Sequence, residues 1–138
     1  MSENVGIQLP GLNGQRVVVT AGANGIGLAV ARVLHAQGAR LAICDVDEVA
    51  LVSAKAELGD CLACVTDVSD PEAVDAFFAD VEQSLGGLDA LINNAGIAGP
   101  TGGVEDIAVN DWKRCIDICL TGQFLCARAA VPMLKTAG

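Results

Sequence analysis

The sequence predicts an α/β protein built on a doubly wound parallel sheet, here incomplete at four strands. Three observations predict it. Short apolar runs alternate with segments of helical period along the chain. A glycine cluster, Gly22, Gly25 and Gly27, follows the first apolar run. The second run ends on a carboxylate, Asp45, 18 residues after Gly27. Strands that alternate with helices form parallel sheets with right-handed crossovers. Runs without polar alternation suit strands covered on both faces. The expected strand order is 3-2-1-4, with helices on both faces.

Each element has its own signal. The first strand covers about 16–20, where three valines precede Thr20. A helix over about 25–37 follows the glycine cluster, and Gly38 closes it as a C-terminal signal. The second strand is about 39–44. Asp47 is a plausible N-cap for a helix that reaches Leu58, and Gly59 ends it. The third strand is about 61–65. Ser69-Asp-Pro-Glu72 reads as a capping box with proline in the first turn. The helix it opens places Val74, Phe77, Phe78, Val81 and Leu85 near one face and stops at Gly86-Gly87. The fourth strand is about 88–92. A Gly/Pro-rich loop (95–103) leads to a last long helix from about residue 110. That helix carries Trp112, Ile116, Leu120, Phe124, Ala127 and Val131 near one face, and Pro132 should bend or weaken its final turn. No repeat, low-complexity tract or linker interrupts the chain.

Composition narrows the function. The 138 residues suffice for a single domain with a real core, and 52% hydrophobic content excludes disorder. A net charge of −9 argues against nucleic acid or an anionic membrane as partner. Residues 1–15 lack the basic flank and apolar core of a signal peptide. No apolar run approaches the ~20 residues that span a bilayer. A soluble, cytoplasmic protein is expected. Six cysteines are present. Cys61 and Cys64 have a CxxC spacing, but residues three apart on a strand point to opposite faces, so no metal site is expected. Cys115 and Cys119 share a helix face, where packing is the ordinary role. His35 is expected at the surface beside the core positions Val30, Val33 and Leu34.

The strand, glycine turn, helix, strand and terminal carboxylate form the layout of a dinucleotide site. The glycines let backbone approach a pyrophosphate, and the helix N-terminus offers open N–H groups to that anion. Asp45 stands where a carboxylate receives the adenosine ribose hydroxyls. In a 3-2-1-4 sheet, ligands bind outside the carboxyl ends of the strands at the switch point between strands 1 and 4. The glycine turn, Asp45, Asp67 and Asn94 should converge there.

With these residues in place, the chain resembles the short-chain dehydrogenase/reductase family, a Rossmann-type fold, over nearly its whole length. TAGANGIG (Thr20–Gly27) is similar to the family's TGxxxGxG. The family's first glycine is Ala21 here. Alanine costs energy if φ is positive at that position, unless Gly22 absorbs the turn. Asp67-Val68 stands where the family holds the adenine ring, and Asn93-Asn94-Ala95-Gly96 matches its NNAG. The resemblance implies NAD as cofactor, held by Ala21, Gly22, Asn24, Gly25, Ile26, Gly27, Asp45, Asp67, Val68, Asn93, Asn94, Ala95 and Gly96. It also implies hydride transfer on an alcohol or ketone, and a homo-oligomer that packs through the last helix.

The family's proton chemistry needs a Ser and a Tyr-x-x-x-Lys segment beyond a fifth strand. This chain holds no Tyr. The family's Asn in the last helix aligns with Cys119, and a thiol does not replace an amide in a relay to water. Two explanations stand open. The chain is the cofactor-binding half of a longer NAD(H)-dependent oxidoreductase, or it is a non-catalytic protein that binds NAD or a partner.

Overall fold

The computed structural model describes residues 7–138. The reading of residues 1–6 as part of a leaderless N-terminus lies outside them. The β-branched run of valines forms β1 (Arg16–Thr20). It is followed by α1 (Gly25–Ala36), β2 (Arg40–Asp45), α2 (Glu48–Leu58), β3 (Cys61–Val65), α3 (Pro71–Leu85) and β4 (Ala90–Ile92). The four strands are parallel in the order β3-β2-β1-β4, as expected. Among the described residues, β4 pairs only with β1.

Period-two alternation divides the core into two layers. Val17, Val19, Leu41 and Ile43 face α1 and α2, where they meet Ala31, Leu51, Ala54 and Leu58. Val18, Ala42 and Cys44 face α3 and the last helix, where they meet Phe77, Val81, Leu125 and Cys126. All five apolar residues predicted for the face of α3 are buried. Phe77 and Phe78 add an edge-on ring contact at 5.3 Å. Cys61 and Cys64 fall on opposite layers of the sheet, so the CxxC spacing does not bring two thiols together.

The caps follow the sequence with one correction. Asp47 accepts from the Ala50 N–H at 2.9 Å and opens α2. At α3 the cap is Asp70, not Ser69: Asp70 accepts from Glu72 and Ala73, and Pro71 takes the first helical position, where its missing N–H costs nothing. Ser69 instead donates to Asp67. Gly38 turns the chain with φ +84° and donates its N–H to the His35 carbonyl at 3.0 Å. Val33 is a second correction. It is 54% exposed rather than a core residue; Ala31 takes the buried place. His35 is at the surface.

The last helix is not one regular α-helix. It consists of α4 (Val109–Ile116), a π-helical segment (Asp117–Thr121) and α5 (Gly122–Ala137), which runs through Pro132. The whole is 29 residues long, and its most apolar stretch has a mean hydropathy of 1.2. It is therefore long and apolar enough to cross a bilayer by length and composition, which no apolar run in the sequence reveals. Its Leu125, Cys126 and Ala130 pack on the sheet. The other face, with Trp112, Leu120, Phe124 and Val131, is exposed.

One ion pair locks the N-terminal ends of β1 and β4. The Arg16 Nε donates to Asp89 Oδ2 at 2.9 Å and Nη2 to Oδ1 at 3.1 Å. The Arg16 N–H also donates to Asp89 Oδ2, and the Asp89 N–H donates to the Arg16 carbonyl, both at 2.9 Å. The hydrogen-bonded guanidinium holds the Asp89 carboxyl down to about 2.

Candidate functional site

The glycine turn begins at the buried end of β1. Ala21 has φ +50°, so alanine itself takes the left-handed conformation and Gly22 does not relieve it. Left-handed backbone costs a non-glycine residue about 1–2 kcal/mol. Gly22 is needed for another reason. A Cβ there would lie 2.8 Å from the Ile43 side chain and 2.9 Å from the Val19 carbonyl. At Gly27 a Cβ would meet the Ala21 carbonyl oxygen and lie 2.6 Å from Asn94 Nδ2. Both glycines let one strand-end, turn and helix meet at backbone distance.

Helix α1 starts without self-capping. Asn24 is the N-cap, yet its side chain makes no cap hydrogen bond, and no acidic residue stands in the first turn. The first intrahelical bond is Leu28 N–H to the Asn24 carbonyl at 3.1 Å. The N–H groups before it are those a helix leaves open. Gly25 has φ +53°, with open space where a side chain would be. An uncapped N-terminus at the carboxyl end of a parallel sheet is the chemistry that receives a phosphate anion.

Asp45 ends β2 beside this turn. Its Oδ2 accepts from the Ala23 N–H at 3.2 Å and its Oδ1 from the Asp47 N–H at 3.1 Å. After β3, Asp67 Oδ1 accepts from the Ser69 hydroxyl at 2.7 Å and the Ser69 N–H at 3.0 Å. These hydrogen bonds, with a smaller contribution from Arg114, pull the Asp67 carboxyl below its ordinary range. Val68 is buried under the last helix, where a Cβ on Gly122 would lie 2.7 Å from its Cγ2.

After β4, Asn94 closes the site. Its Nδ2 donates to the carbonyls of Thr20 and Ala21. The Thr20 hydroxyl, fully buried, accepts from the N–H groups of Asn94 at 3.0 Å and Ala95 at 2.9 Å. Asn93 turns the other way and donates to the Gln123 carbonyl at 3.1 Å, tying the end of β4 to α5. Cys119, in the π segment, accepts from the Ile97 N–H and faces the Ile97 carbonyl, both at 3.3 Å.

These elements enclose a cavity of about 170 Å³ lined by Ala21, Asp45, Val46, Asp67, Ala95, Gly96 and Arg114, among others. The structure thus brings five of the sequence-predicted residues and Val68 to one wall. It leaves Asn24, Gly25 and Ile26 exposed at the helix start, gives Gly22, Gly27 and Asn94 a part in holding the turn rather than lining the cavity, and turns Asn93 towards α5. Thr20 and Arg114 escaped the sequence reading. A threonine ending an apolar run just before the glycines was the available signal for Thr20; an exposed helical arginine gives none. A larger depression of about 280 Å³ lies around Arg40 and Asp60. It is at the amino ends of β2 and β3, and Arg40 there is committed to the carbonyls of Ser84 and Leu85. The smaller cavity is the one that gathers the predicted carboxylates Asp45 and Asp67.

The residues present fit a dinucleotide: a cradle that side chains would fill, an uncapped helix start and a carboxylate at the end of β2. Fold and site together define a doubly wound α/β protein of Rossmann type. A family described as short chain dehydrogenase matches residues 15–138, and the chain belongs to the short-chain dehydrogenase/reductase family. It is 39% identical to 2-dehydro-3-deoxy-L-rhamnonate dehydrogenase (NAD(+)) of Sphingomonas sp. (strain SKA58), over 91% of this chain and 50% of that protein. It is 37% identical to meso-2,3-butanediol dehydrogenase of Serratia marcescens, over 88% and 49%. The crystal structure of an NAD+-bound xylitol dehydrogenase superposes with a TM-score of 0.88 at 34% identity, covering 92% of this chain and 50% of that one. The chain spans about half the length of the relatives it matches.

Proposed function

We propose that this chain is the cofactor-holding half of an NAD(H)-dependent oxidoreductase acting on a small alcohol or ketone, in the cytoplasm. The observation that carries this reading is Asp45. It stands at the carboxyl end of β2 against the glycine turn, with both oxygens accepting only from backbone N–H groups. A carboxylate so placed accepts from the ribose hydroxyls and repels a 2′-phosphate. Val46 follows it and Asn24 stands in the turn, so neither position offers a cation. Arg114 lines the same cavity from the side of Asp67. The open N–H groups of α1 hold the pyrophosphate, and Asp67 and Val68 frame the adenine. The nicotinamide, when bound, supplies the hydride chemistry; this half of the protein binds and orients it.

The xylitol dehydrogenase with NAD+ and the relative named for NAD(+) support this cofactor. The chain alone is expected to give no turnover. No Tyr is present to move the hydroxyl proton, and loss of a general acid–base typically costs 10²–10⁴-fold. A second reading, a non-catalytic dinucleotide or partner binder, is favoured by Cys119, which stands at the family's Asn and spends its thiol on Ile97.

Calorimetric titration with NADH and NADPH tests the first reading. NADH should bind more tightly, and Asp45→Ala should narrow the difference. Tighter binding of NADPH by the unaltered chain would overturn the role of Asp45. NADH oxidation with ketones then separates the two readings. No activity alone, and activity on adding the C-terminal half of a relative, supports the oxidoreductase.

A further inference from the structure

Two thiols outside the cavity have no part in holding the cofactor. Cys115 lies in the last turn of α4 and Cys119 in the π segment, with their sulfurs 4.0 Å apart. Both are half-buried. The other thiols are differently placed. Cys44, Cys61 and Cys126 are buried in the core, and burial pushes them up to about 12, 11 and 11. Cys64 stands alone beside the Asp80 carboxylate.

We propose that Cys115 and Cys119 form a vicinal-dithiol site that captures one soft, thiophilic atom between their sulfurs, trivalent arsenic in an organoarsenoxide being the chemical class. Geometry selects a bridging atom over a direct bond. Two thiolate bonds of about 2.3 Å, meeting at the pyramidal angle of a trivalent centre, hold two sulfurs roughly 3.3–3.7 Å apart, taking zinc–thiolate lengths as the guide. The existing 4.0 Å needs a closure of only about 0.5 Å, within the reach of side-chain rotation. A direct sulfur–sulfur bond of about 2.05 Å would require the two to close by nearly half. No third Cys, His, Asp or Glu joins the pair among the described residues, so a centre that brings its own remaining substituent fits better than one needing four protein ligands.

The step balances without an oxidant. Each thiol gives up its proton and forms one arsenic–sulfur bond. The arsenoxide oxygen leaves with the two protons as water, and arsenic stays trivalent.

Capture has a local consequence. The Cys119 sulfur now accepts from the Ile97 N–H and its S–H faces the Ile97 carbonyl. A Cβ on Gly99 would lie 3.2 Å from the Cys115 sulfur, so the loop lies against both thiols. The arsenic–sulfur bond replaces the Cys119 S–H and re-aims the lone pairs of the sulfur. The Ile97 carbonyl then loses its S–H donor and the Ile97 N–H its well-aimed acceptor, and the loop that lines the cavity is loosened.

Phenylarsine oxide is the probe, with intact-mass spectrometry as the readout. One arsenical less one water should be gained per chain, retained in excess monothiol and removed by a dimercaptan. Cleavage after Arg114 and Arg128 should place the adduct on Cys115 and Cys119 within 115–128; this needs no variant. Cys115→Ser and Cys119→Ser should each abolish monothiol-resistant capture. Hydrogen exchange at the Ile97 amide should speed up several-fold in the adduct. Capture mapped elsewhere, surviving in either variant or lost to a monothiol would overturn the site. Unchanged exchange at Ile97 would overturn its coupling to the loop. None of these readouts requires bound dinucleotide.

Discussion

Asn94 holds the Thr20 carbonyl through its Nδ2 at 3.1 Å, while the Thr20 hydroxyl accepts the Asn94 N–H at 3.0 Å. The exchange clamps the carboxyl ends of β1 and β4 across the position where the strand order reverses. The Ala95 N–H is a second donor to the same hydroxyl, at 2.9 Å.

Thr20→Val keeps the shape and removes the acceptor of two backbone N–H groups. A buried donor left without a partner costs about 1–3 kcal/mol. Urea unfolding should show a loss of that order, with Thr20→Ser largely sparing it. A neutral Thr20→Val would mean that water replaces the hydroxyl.

Ala21→Gly should stabilise the protein. The left-handed backbone at Ala21 costs about 1–2 kcal/mol, and a glycine returns roughly 0.4–1 kcal/mol of that through its freer unfolded chain. A net gain of about 0.5–1 kcal/mol is expected, read as a higher urea midpoint. A lower midpoint would show that the turn gains more from the alanine methyl than its backbone loses.

Acid stability should depend on Asp89. Its folded carboxyl is depressed to about 2 by Arg16, against about 3.9 for an unpaired aspartate. A depressed carboxylate stabilises above the unfolded value and loses that contribution as pH falls through the folded one. The loss should fall between about pH 4 and 2. Asp89→Asn should be less stable near neutrality and flatter across that window in thermal melts. A parallel decline in both proteins would remove the pair from the acid response.

Association should follow the exposed face of the last helix. Trp112, Leu120 and Phe124 are each more than half exposed, and exposed apolar stripes of this kind promote self-association. Sedimentation velocity should show concentration-dependent oligomers, shifted towards monomer by Phe124→Glu. A monomer for the unaltered chain at high concentration would remove this expectation.

The elements that local chemistry dictates were legible in the sequence. Three valines before a glycine cluster, Asp47 before α2 and the apolar face of α3 each carry their own signal within a few residues. That Asp45 and Asp67 would line one cavity was legible because strand ends of a parallel sheet converge. What was not legible depends on distance. Thr20 reads as a strand residue until Asn94 and Ala95 arrive from the fourth strand. Ser69 has the composition of a cap, but a nearer carboxylate at Asp70 takes the helix and leaves the serine to Asp67. Arg114 meets the cavity only through the path of a helix whose irregularity has no residue signature.

The π segment between Ile116 and Gly122 works as a phase shifter. An α-helix advances each residue by about 100°, so adding or removing one residue turns everything upstream by that angle relative to everything downstream. Leu125, Cys126 and Ala130 fix the downstream half against the sheet. The upstream half, with Arg114 and Cys115, owes its bearing to the extra residue. A single deletion between 117 and 121 would leave composition and packing of α5 nearly intact, yet swing Arg114 away from the cavity wall.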